Sequence, residues 1–359
     1  MAFNGSGVFD IDTAGQPVVD GTTIDATVFN ALTADLASGL STCITKDGQQ
    51  TVTANIPMAG YKFTGIGLGT ASTESARVDN ANVLDMCEGR LTLSTGVPVT
   101  TSDVTAAETL YFAPYKGNRI ALFDGTNWAM RTFTELSIDV PDATNCYDVF
   151  CYDNSGTPAL ELTAWTNDTT RATALTTQNG VLSKTGALTR RYLGTFYCTT
   201  AGNGQIEDSL ANRYLWNYYN RVARPMRVTI QGATPWTYTT ATIRQANNNT
   251  GNQLNFCIGV AEDAVVADGY LTVQSTQAAG AVAVYALLGL DSTTAGASNS
   301  VGDTTLNMVT NIDQAKHASL KLFTAVGKHY IALLEFSSAA GTSTWCSSNP
   351  SGLTGMIWG

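Results

Sequence analysis

One segment near the middle of the chain combines the side-chain types that bind sugars or other proteins. Aromatic residues alternate there with asparagines and are bounded by arginines: Asn212, Arg213, Tyr214, Trp216, Asn217, Tyr218, Tyr219, Asn220 and Arg221. Aromatic faces beside amide donors stack on sugar rings, and tyrosine, tryptophan and arginine are also common anchors of protein interfaces. We favour the interpretation that one face of this strand fills a core or a subunit contact. The alternative is a glycan site formed by Tyr214, Trp216, Tyr218 and, further along the chain, Trp236.

Two pairs of neighbouring carboxylates are candidates for acid and base chemistry. They are Glu207 with Asp208 and Glu262 with Asp263. Enzymes that cleave glycans need two carboxyl groups about 5 to 9.5 Å apart. Adjacent residues of a strand point to opposite faces, however, and in a loop such residues are ordinary solvated turn formers. We therefore predict no enzymatic activity, with glycan cleavage by Glu207 or Asp208 as an alternative.

The remaining reactive residues indicate no cofactor or metal site. The two histidines, His317 and His329, have neither zinc-ligand spacing nor a nucleophile motif nearby. The seven cysteines have no CxxC spacing, and their odd number leaves at least one thiol unpaired. We predict reduced cysteines and no bound cofactor.

The composition excludes several classes of partner. Charged residues make up 13% of the chain, about half the usual fraction, and the net charge is -10. A surface of this sign repels phosphate backbones and anionic lipids. No apolar stretch is long enough to cross a membrane, and the first residues do not have the pattern of a secretory signal. We expect no nucleic-acid partner and no membrane insertion.

The elements that position these residues begin with a helix. Thr22 and Thr23 occupy positions typical of an N-cap. Apolar residues follow at spacings of three, four and four, which predicts an amphipathic helix of about five turns: Phe29, Leu32, Leu36 and Leu40. This stripe is too short for a core of its own. It either packs on a neighbouring domain or packs against copies of itself.

The rest of the first ninety residues predicts a hairpin over 56–66 and a second helix over 72–86. From Arg90 onward the period changes to that of strands. Asp124-Gly125 is a strong hairpin signal between 118–123 and 128–134. Further strands are predicted at regular spacing: 146–152, 159–165, 191–198, 214–219, 236–243, 253–260, 270–274, 282–290, 319–324 and 330–336. Such spacing is typical of sandwiches or barrels.

Residues 46–85 carry a resemblance to a known family. The run KDGQQTVTANIPMAG, continued by YKFTGIGLGTASTESARVDNANVLD, resembles a module of tailed-bacteriophage fibre proteins in which a DG turn and a hairpin lead to a short helix. The preceding PVVDGTTIDATVFNALTADLASGLSTCI is similar to the helical lead-in found with that module. The stretches YKGNRIALFDGTNW, RRYLGTFYCTTAGNGQIEDSLANRYLWNYYNR and SGLTGMIWG resemble phage virion modules of unassigned role.

The resemblance implies a homotrimeric fibre of small helical and β-sandwich units. We expect a mainly β chain in which short N-terminal helices (residues 1–90) anchor on tail or capsid proteins. Two β-sandwich, jelly-roll-like domains follow, over 91–224 and 225–359. The four apolar helix residues would then be trimer contacts.

The function that the resemblance implies is that of a virion structural protein, assembled in the reducing cytoplasm of a bacterial host. We expect a tail fibre that aids attachment to the host surface. The alternatives are a head (capsid) fibre or decoration protein, and a carbohydrate-binding or glycan-cleaving protein like a tailspike.

Overall fold

The computed structural model describes residues 20–41, 84–200, 202–230, 234–276, 282–305, 311–346 and 351–359. Two compact units divide the chain, residues 1–67 and 68–359. The described part is mainly β, as predicted, with one α-helix and one short 3₁₀ helix. The predicted hairpin 56–66 and most of the predicted helix 72–86 lie outside the described residues. No helix in the described part is long and apolar enough to span a membrane.

Helix α1 (Ala26–Ser41) begins later than the predicted caps. Asp25, and not Thr22 or Thr23, caps it, because the Asp25 carboxylate accepts the backbone N–H of Thr27 at 2.7 Å and of Val28 at 3.3 Å. These hydrogen bonds lower the pKa of Asp25 from its ordinary value. A carboxylate at this position also interacts favourably with the helix dipole.

The strands of the second unit fall into two series. The first fourteen precede residue 218: β1 (Gly89–Thr92), β2 (Val104–Ala107), β3 (Thr109–Pro114), β4 (Arg119–Phe123), β5 (Trp128–Thr132), β6 (Leu136–Asp139), β7 (Cys146–Asn154), β8 (Thr157–Ala164), β9 (Leu175–Gln178), β10 (Val181–Lys184), β11 (Ala187–Tyr197), β12 (Ile206–Asp208), β13 (Asn212–Arg213) and β14 (Leu215–Asn217).

Twelve strands and the 3₁₀ helix (Ala246–Asn248) follow. The strands are β15 (Ala223–Thr229), β16 (Trp236–Tyr238), β17 (Arg244–Gln245), β18 (Gln253–Ile258), β19 (Val265–Ser275), β20 (Val284–Leu290), β21 (Val301–Gly302), β22 (Thr304–Thr305), β23 (Gln314–Leu322), β24 (Gly327–Ser337), β25 (Ser343–Trp345) and β26 (Gly352–Trp358).

Most strands of the first series form three sheets around one core, and β2, β12 and β13 belong to a fourth sheet. The strand orders of the three sheets are β1-β3-β6, β8-β7-β11-β10-β9 with β14 beside β11, and the hairpin β4-β5. The hairpin confirms the Asp124-Gly125 signal: the Asp124 carboxylate accepts the N–H of Thr126 and of Asn127, and Gly125 has a φ of 109°. Buried side chains from all three sheets meet in the core, among them Leu91, Phe112, Leu122, Val149 and Phe196.

The second series forms a jelly roll. One sheet runs β15-β26-β19-β23-β21, and the other includes β18-β24-β20-β22. If the eight strands β15, β18, β19, β20, β22, β23, β24 and β26 are counted in chain order, the two sheets have the orders 1-8-3-6 and 2-7-4-5. Two sheets with this strand order form the double Greek key of a jelly roll, the fold suggested by the sequence.

The two jelly-roll sheets pack face to face over a second core. Leu254, Phe256 and Leu333 point into this core from one sheet, and Leu271 and Leu320 from the other. Close approach requires Gly269 in β19, because a Cβ there would lie 2.6 Å from Cδ1 of Leu333. The sheets are therefore in contact at the backbone of β19.

Strands from both sides of residue 224 share the larger jelly-roll sheet. β2 and β12 extend it beyond β13, which pairs in parallel with β18. The sheet is thus continuous across the predicted boundary. The division into domains over 91–224 and 225–359 stays a prediction about independently folding units.

The strand β26 lies between β15 and β19, in the interior of the seven-stranded sheet. A side chain at Gly352 would collide with the carbonyl oxygen of Val228, and a Cβ at Gly355 would lie 2.8 Å from Cδ1 of Leu254. Both glycines therefore allow β26 to fit among its neighbours.

Candidate functional site

The carboxylate of Asp208 lies in a buried ion cluster. Its two oxygens accept hydrogen bonds from Arg213 at 2.9 Å and from Arg224 at 2.5 Å, with Thr100 at 3.3 Å. Burial lowers the pKa of the Arg224 guanidinium, although the Asp208 charge opposes that shift. Asp208 lies in β12, Arg213 in β13 and Arg224 in β15, so these charge-assisted hydrogen bonds link three strands. Both carboxylate oxygens of Asp208 are occupied by these contacts.

The other three carboxylates of the predicted pairs are also hydrogen-bonded. Glu207 accepts from Ser209 and Asn212. Glu262 and Asp263 both bind the guanidinium of Arg221, at 2.7 and 2.5 Å. These contacts show how the carboxylates are held. The prediction that the chain has no enzymatic activity stays a prediction.

The two histidines lie in different environments. His329 is buried, with Nδ1 2.7 Å from an Asp291 oxygen and Nε2 2.9 Å from the carbonyl oxygen of Ala325. His317 is exposed and its ring meets that of Tyr270 edge-on at 4.8 Å. Within the described ranges, no three His, Cys, Asp or Glu side chains are grouped as metal ligands.

The six cysteines in the part of the chain that the structure describes are free thiols, and all are buried. Burial raises the pKa of Cys87 to about 11. A thiol that is buried and protonated is a poor nucleophile. These residues therefore act as small apolar side chains of the two cores.

The aromatic segment, residues 214–221, lies mainly inside the molecule. Trp216 is 1% exposed, and Tyr214 is also buried. The strand ends at Asn217 and not at 219 as predicted, because Asn220 takes a φ of 53° that breaks the extended chain. The side-chain amide of Asn217 accepts the backbone N–H of Leu91 at 2.7 Å and donates to the carbonyl oxygen of Leu91 at 3.2 Å.

Trp236 is also buried, and its indole N–H donates to the Glu335 carboxylate at 2.8 Å. A buried ring offers no face to a sugar, so Tyr214, Trp216 and Trp236 lack the exposure that stacking requires. Tyr218 is half-buried, with Arg221 over its ring. Contact of this set with a glycan or a neighbouring subunit stays a prediction.

The apolar stripe of α1 is largely exposed. The exposed fractions are 52% for Phe29, 37% for Leu36 and 69% for Leu40, and Leu32 is half-buried. The structure therefore places the four predicted trimer contacts on one side of the helix and leaves them accessible within the single chain.

A second surface, which we call the open sheet face, is the outer side of the seven-stranded sheet. Its outward residues alternate with core residues along β15, β26, β19 and β23. Cross-strand pairing places Arg227 beside Thr354 and Thr354 beside Asp268. The next row contains Thr229, Gly352, Tyr270 and His317.

A depression of about 210 Å³ lies on this face, lined by the two rows just described. Gly352 has no side chain, so the surface between Thr229 and Tyr270 is lower there. The sequence interpretation missed these residues. The signal that could have found them is the pair Asp268 and Tyr270, which stand two residues apart in β19 with alanine, glycine and leucine at the alternate positions.

Comparisons with known proteins identify no family. No protein-family model and no curated protein matches the chain. One similar solved structure is a Bacillus thuringiensis Cry1Da tryptic core variant, 9% identical over 70% of this chain and 48% of that one, with a TM-score of 0.18. The chain thus spans about half the length of that protein.

Two structures of infectious bursal disease virus are also similar. The Gx strain is 11% identical, covers 71% of this chain and 74% of that one, and has a TM-score of 0.20. The Gt strain is 12% identical, covers 71% and 72%, and has a TM-score of 0.11. At these TM-scores the similarities carry no argument about fold or function.

Proposed function

We propose that this chain is a structural protein of a bacteriophage virion. In this proposal three copies form a fibre anchored through residues 1–90, and the β-rich part faces outward as a tail fibre that aids attachment to the host. The observation that carries the proposal is the exposed apolar stripe of α1. The resemblance of residues 46–85 to a phage fibre module supports the same function, although most of those residues lie outside the described ranges.

The stripe favours association of copies on physical grounds. Most of the stability of a helix in a protein comes from packing of its amphipathic face, so α1, with 16 residues, is stabilised when its exposed apolar stripe is covered. Burying each of its large apolar side chains contributes about 1.5 to 3 kcal/mol. Three copies related by a threefold axis bring equivalent stripes together, which buries all of them at once.

The oligomeric state tests this directly. Light scattering on the purified chain is expected to give three times the monomer mass of 37.9 kDa. The double variant Leu36→Asp with Leu40→Asp is expected to be a monomer, because six charges would have to enter the helix contact. The control Ala34→Asp places one such charge per chain on the other side of α1 and should remain a trimer. A monomeric wild type at micromolar concentration would contradict the proposal.

The position on the particle separates a tail fibre from a head fibre or decoration protein. A short peptide tag inserted at the exposed turn of Ser155 and Gly156 leaves the cores intact. Imaging of labelled virions is expected to show the tag on the tail. Label on the capsid would favour the head-fibre alternative, and a particle without label would exclude a virion protein.

A further inference from the structure

We propose that the depression on the open sheet face binds one neutral hexopyranose ring of a surface glycan. Arg227 and Asp268 would bind its hydroxyl groups, and Tyr270 would pack against its carbon face. The inference deepens the proposed function and rests on it in one respect: a virion appendage that attaches to a host must meet the glycans of that surface.

The side chains of Arg227 and Asp268 have no hydrogen-bonding partner among the described residues. Among the described residues, Arg227 is the one arginine whose side chain makes no hydrogen bond or ion pair. The other ten all do: Arg90, Arg119, Arg131, Arg171, Arg190, Arg191, Arg213, Arg221, Arg224 and Arg244. Within the same described part, the carboxylate of Asp268 is likewise unpaired. A donor and an acceptor are therefore free on one exposed face.

Arg227 and Asp268 are spaced to contact opposite sides of one small ligand. Arg227 pairs with Thr354, and Thr354 pairs with Asp268, so Arg227 and Asp268 stand two strands apart. Neighbouring strands lie about 4.8 Å apart, which separates the two backbones by about 10 Å. The short Thr354 side chain between them leaves room for a ring with a hydrogen bond at each side.

Tyr270 provides an aromatic ring at one side of the depression. Tyr270 is half-buried, and His317 meets its ring at an interplanar angle of 67°. This contact fixes the orientation of the Tyr270 ring beside the gap over Gly352. Aromatic rings of this kind bind the apolar face of a sugar.

The chemistry of the set selects a neutral polyol. Arginine only donates hydrogen bonds and an ionised aspartate only accepts them, and a sugar hydroxyl can do both. The opposite charges of Arg227 and Asp268 balance, so a phosphate or carboxylate ligand would be attracted by one and repelled by the other. The volume is below the range of about 300 to 1,000 Å³ that is typical of drug-sized ligands, which suits a single ring.

An open site for one ring binds weakly, with a dissociation constant of about 1 to 10 mM expected. Three copies on one fibre would raise the apparent affinity for a repeating glycan without any new contact. Attachment of the fibre to the host surface would then depend on the trimer, whereas binding of a single sugar ring would need only one copy of the chain.

The test uses the purified full-length chain and four probes, the methyl glycosides of glucose, galactose, mannose and N-acetylglucosamine. Saturation-transfer NMR and calorimetric titration are expected to detect binding of at least one of them. Tyr270→Ala and Asp268→Asn should each weaken that binding by about tenfold or more. The control Tyr115→Ala removes an exposed tyrosine elsewhere on the molecule and should leave binding unchanged.

Two results would overturn the inference. One is the absence of binding for all four glycosides at concentrations well above the expected dissociation constant. The other is binding that survives the combined Arg227→Ala and Tyr270→Ala variant, which would place the sugar elsewhere. Protection of this face from hydrogen exchange on trimer formation, without sugar binding, would identify it as a subunit contact instead.

The outcomes also separate this inference from the proposed function. A chain that binds a glycoside but is found nowhere on a particle would contradict only the virion proposal. A chain present on the particle that binds none of the probes would contradict only the sugar site.

Discussion

The aromatic segment and the open sheet face contain the same kinds of side chain in opposite situations. In the segment, Trp216 is enclosed in the core and Arg221 binds two carboxylates. On the open face, Tyr270 is half-buried and Arg227 is unpaired. The segment is conspicuous in the sequence because its aromatic residues lie within six positions of one another. The open face is not conspicuous, because its residues come from four strands.

The comparison shows that the types of residue in a segment do not determine whether their side chains are accessible to a ligand. Clustered aromatic and arginine residues can satisfy one another, so their density along the chain also predicts a well-packed interior. A binding surface instead requires groups that the fold leaves without partners. Those groups are recognisable only when the strand order has placed them side by side.

The largest expected effect is on the aromatic segment. Trp216→Ala should lower the free energy of unfolding by about 4 kcal/mol, because it leaves a large cavity in the core. Tyr270→Ala should lower it by less than about 1 kcal/mol, because the ring is only half-buried. Chemical denaturation of both variants measures the difference. Equal losses would break the contrast between the two regions.

The carboxylates give the next largest contrast. Asp208→Asn leaves Arg213 and Arg224 buried without their counter-charge, and the expected cost is about 3 kcal/mol. Asp268→Asn changes an exposed, unpaired group and should be within about 0.5 kcal/mol of the wild type. Thermal unfolding at one pH suffices for the comparison. A destabilised Asp268→Asn would show that this residue has a structural partner.

The smallest effect concerns pH. Burial raises the pKa of Glu335 above its ordinary value, even though Trp236 and Arg244 donate to it. The folded state therefore holds this proton more tightly than the unfolded state does. The resulting stability is fully present below the unfolded pKa and is lost as the pH rises through the folded pKa.

Glu335→Gln should remove that dependence. Its stability relative to the wild type is expected to increase as the pH is raised from about 4 towards 7, measured by denaturant titration at each pH. Asp268→Asn, in which the replaced carboxylate is exposed, is the matched control. A difference between Glu335→Gln and wild type that is constant with pH would contradict the burial argument.

Much of the fold follows from the sequence because it depends on local patterns. The mainly β class, the amphipathic helix and the Asp124-Gly125 hairpin are confirmed, since period and turn chemistry act over a few residues. The helix cap was misplaced by two to three residues, because Thr22, Thr23 and Asp25 are all good caps and the pattern alone does not choose among them.

Other features were out of reach because they depend on distant contacts. β26 was not predicted as a strand, because Gly352 and Gly355 weaken its β propensity. The two glycines allow the backbone of β26 to lie close to Val228 and Leu254, which the sequence alone does not show. The open sheet face was missed for the same reason. The pairing of β15 with β26 joins residues more than a hundred positions apart.

The interior position of β26 has a consequence for synthesis. A nascent chain leaves the ribosome from its N-terminus, so β26 emerges after every other strand described here. Until β26 emerges, β15 and β19 each lack the partner strand that they share. The seven-stranded sheet therefore cannot close while translation of this region is in progress. Exposed strand edges of this kind pair readily with other chains. Copies that are translated on one messenger are therefore most prone to misassembly in the interval before β26 emerges.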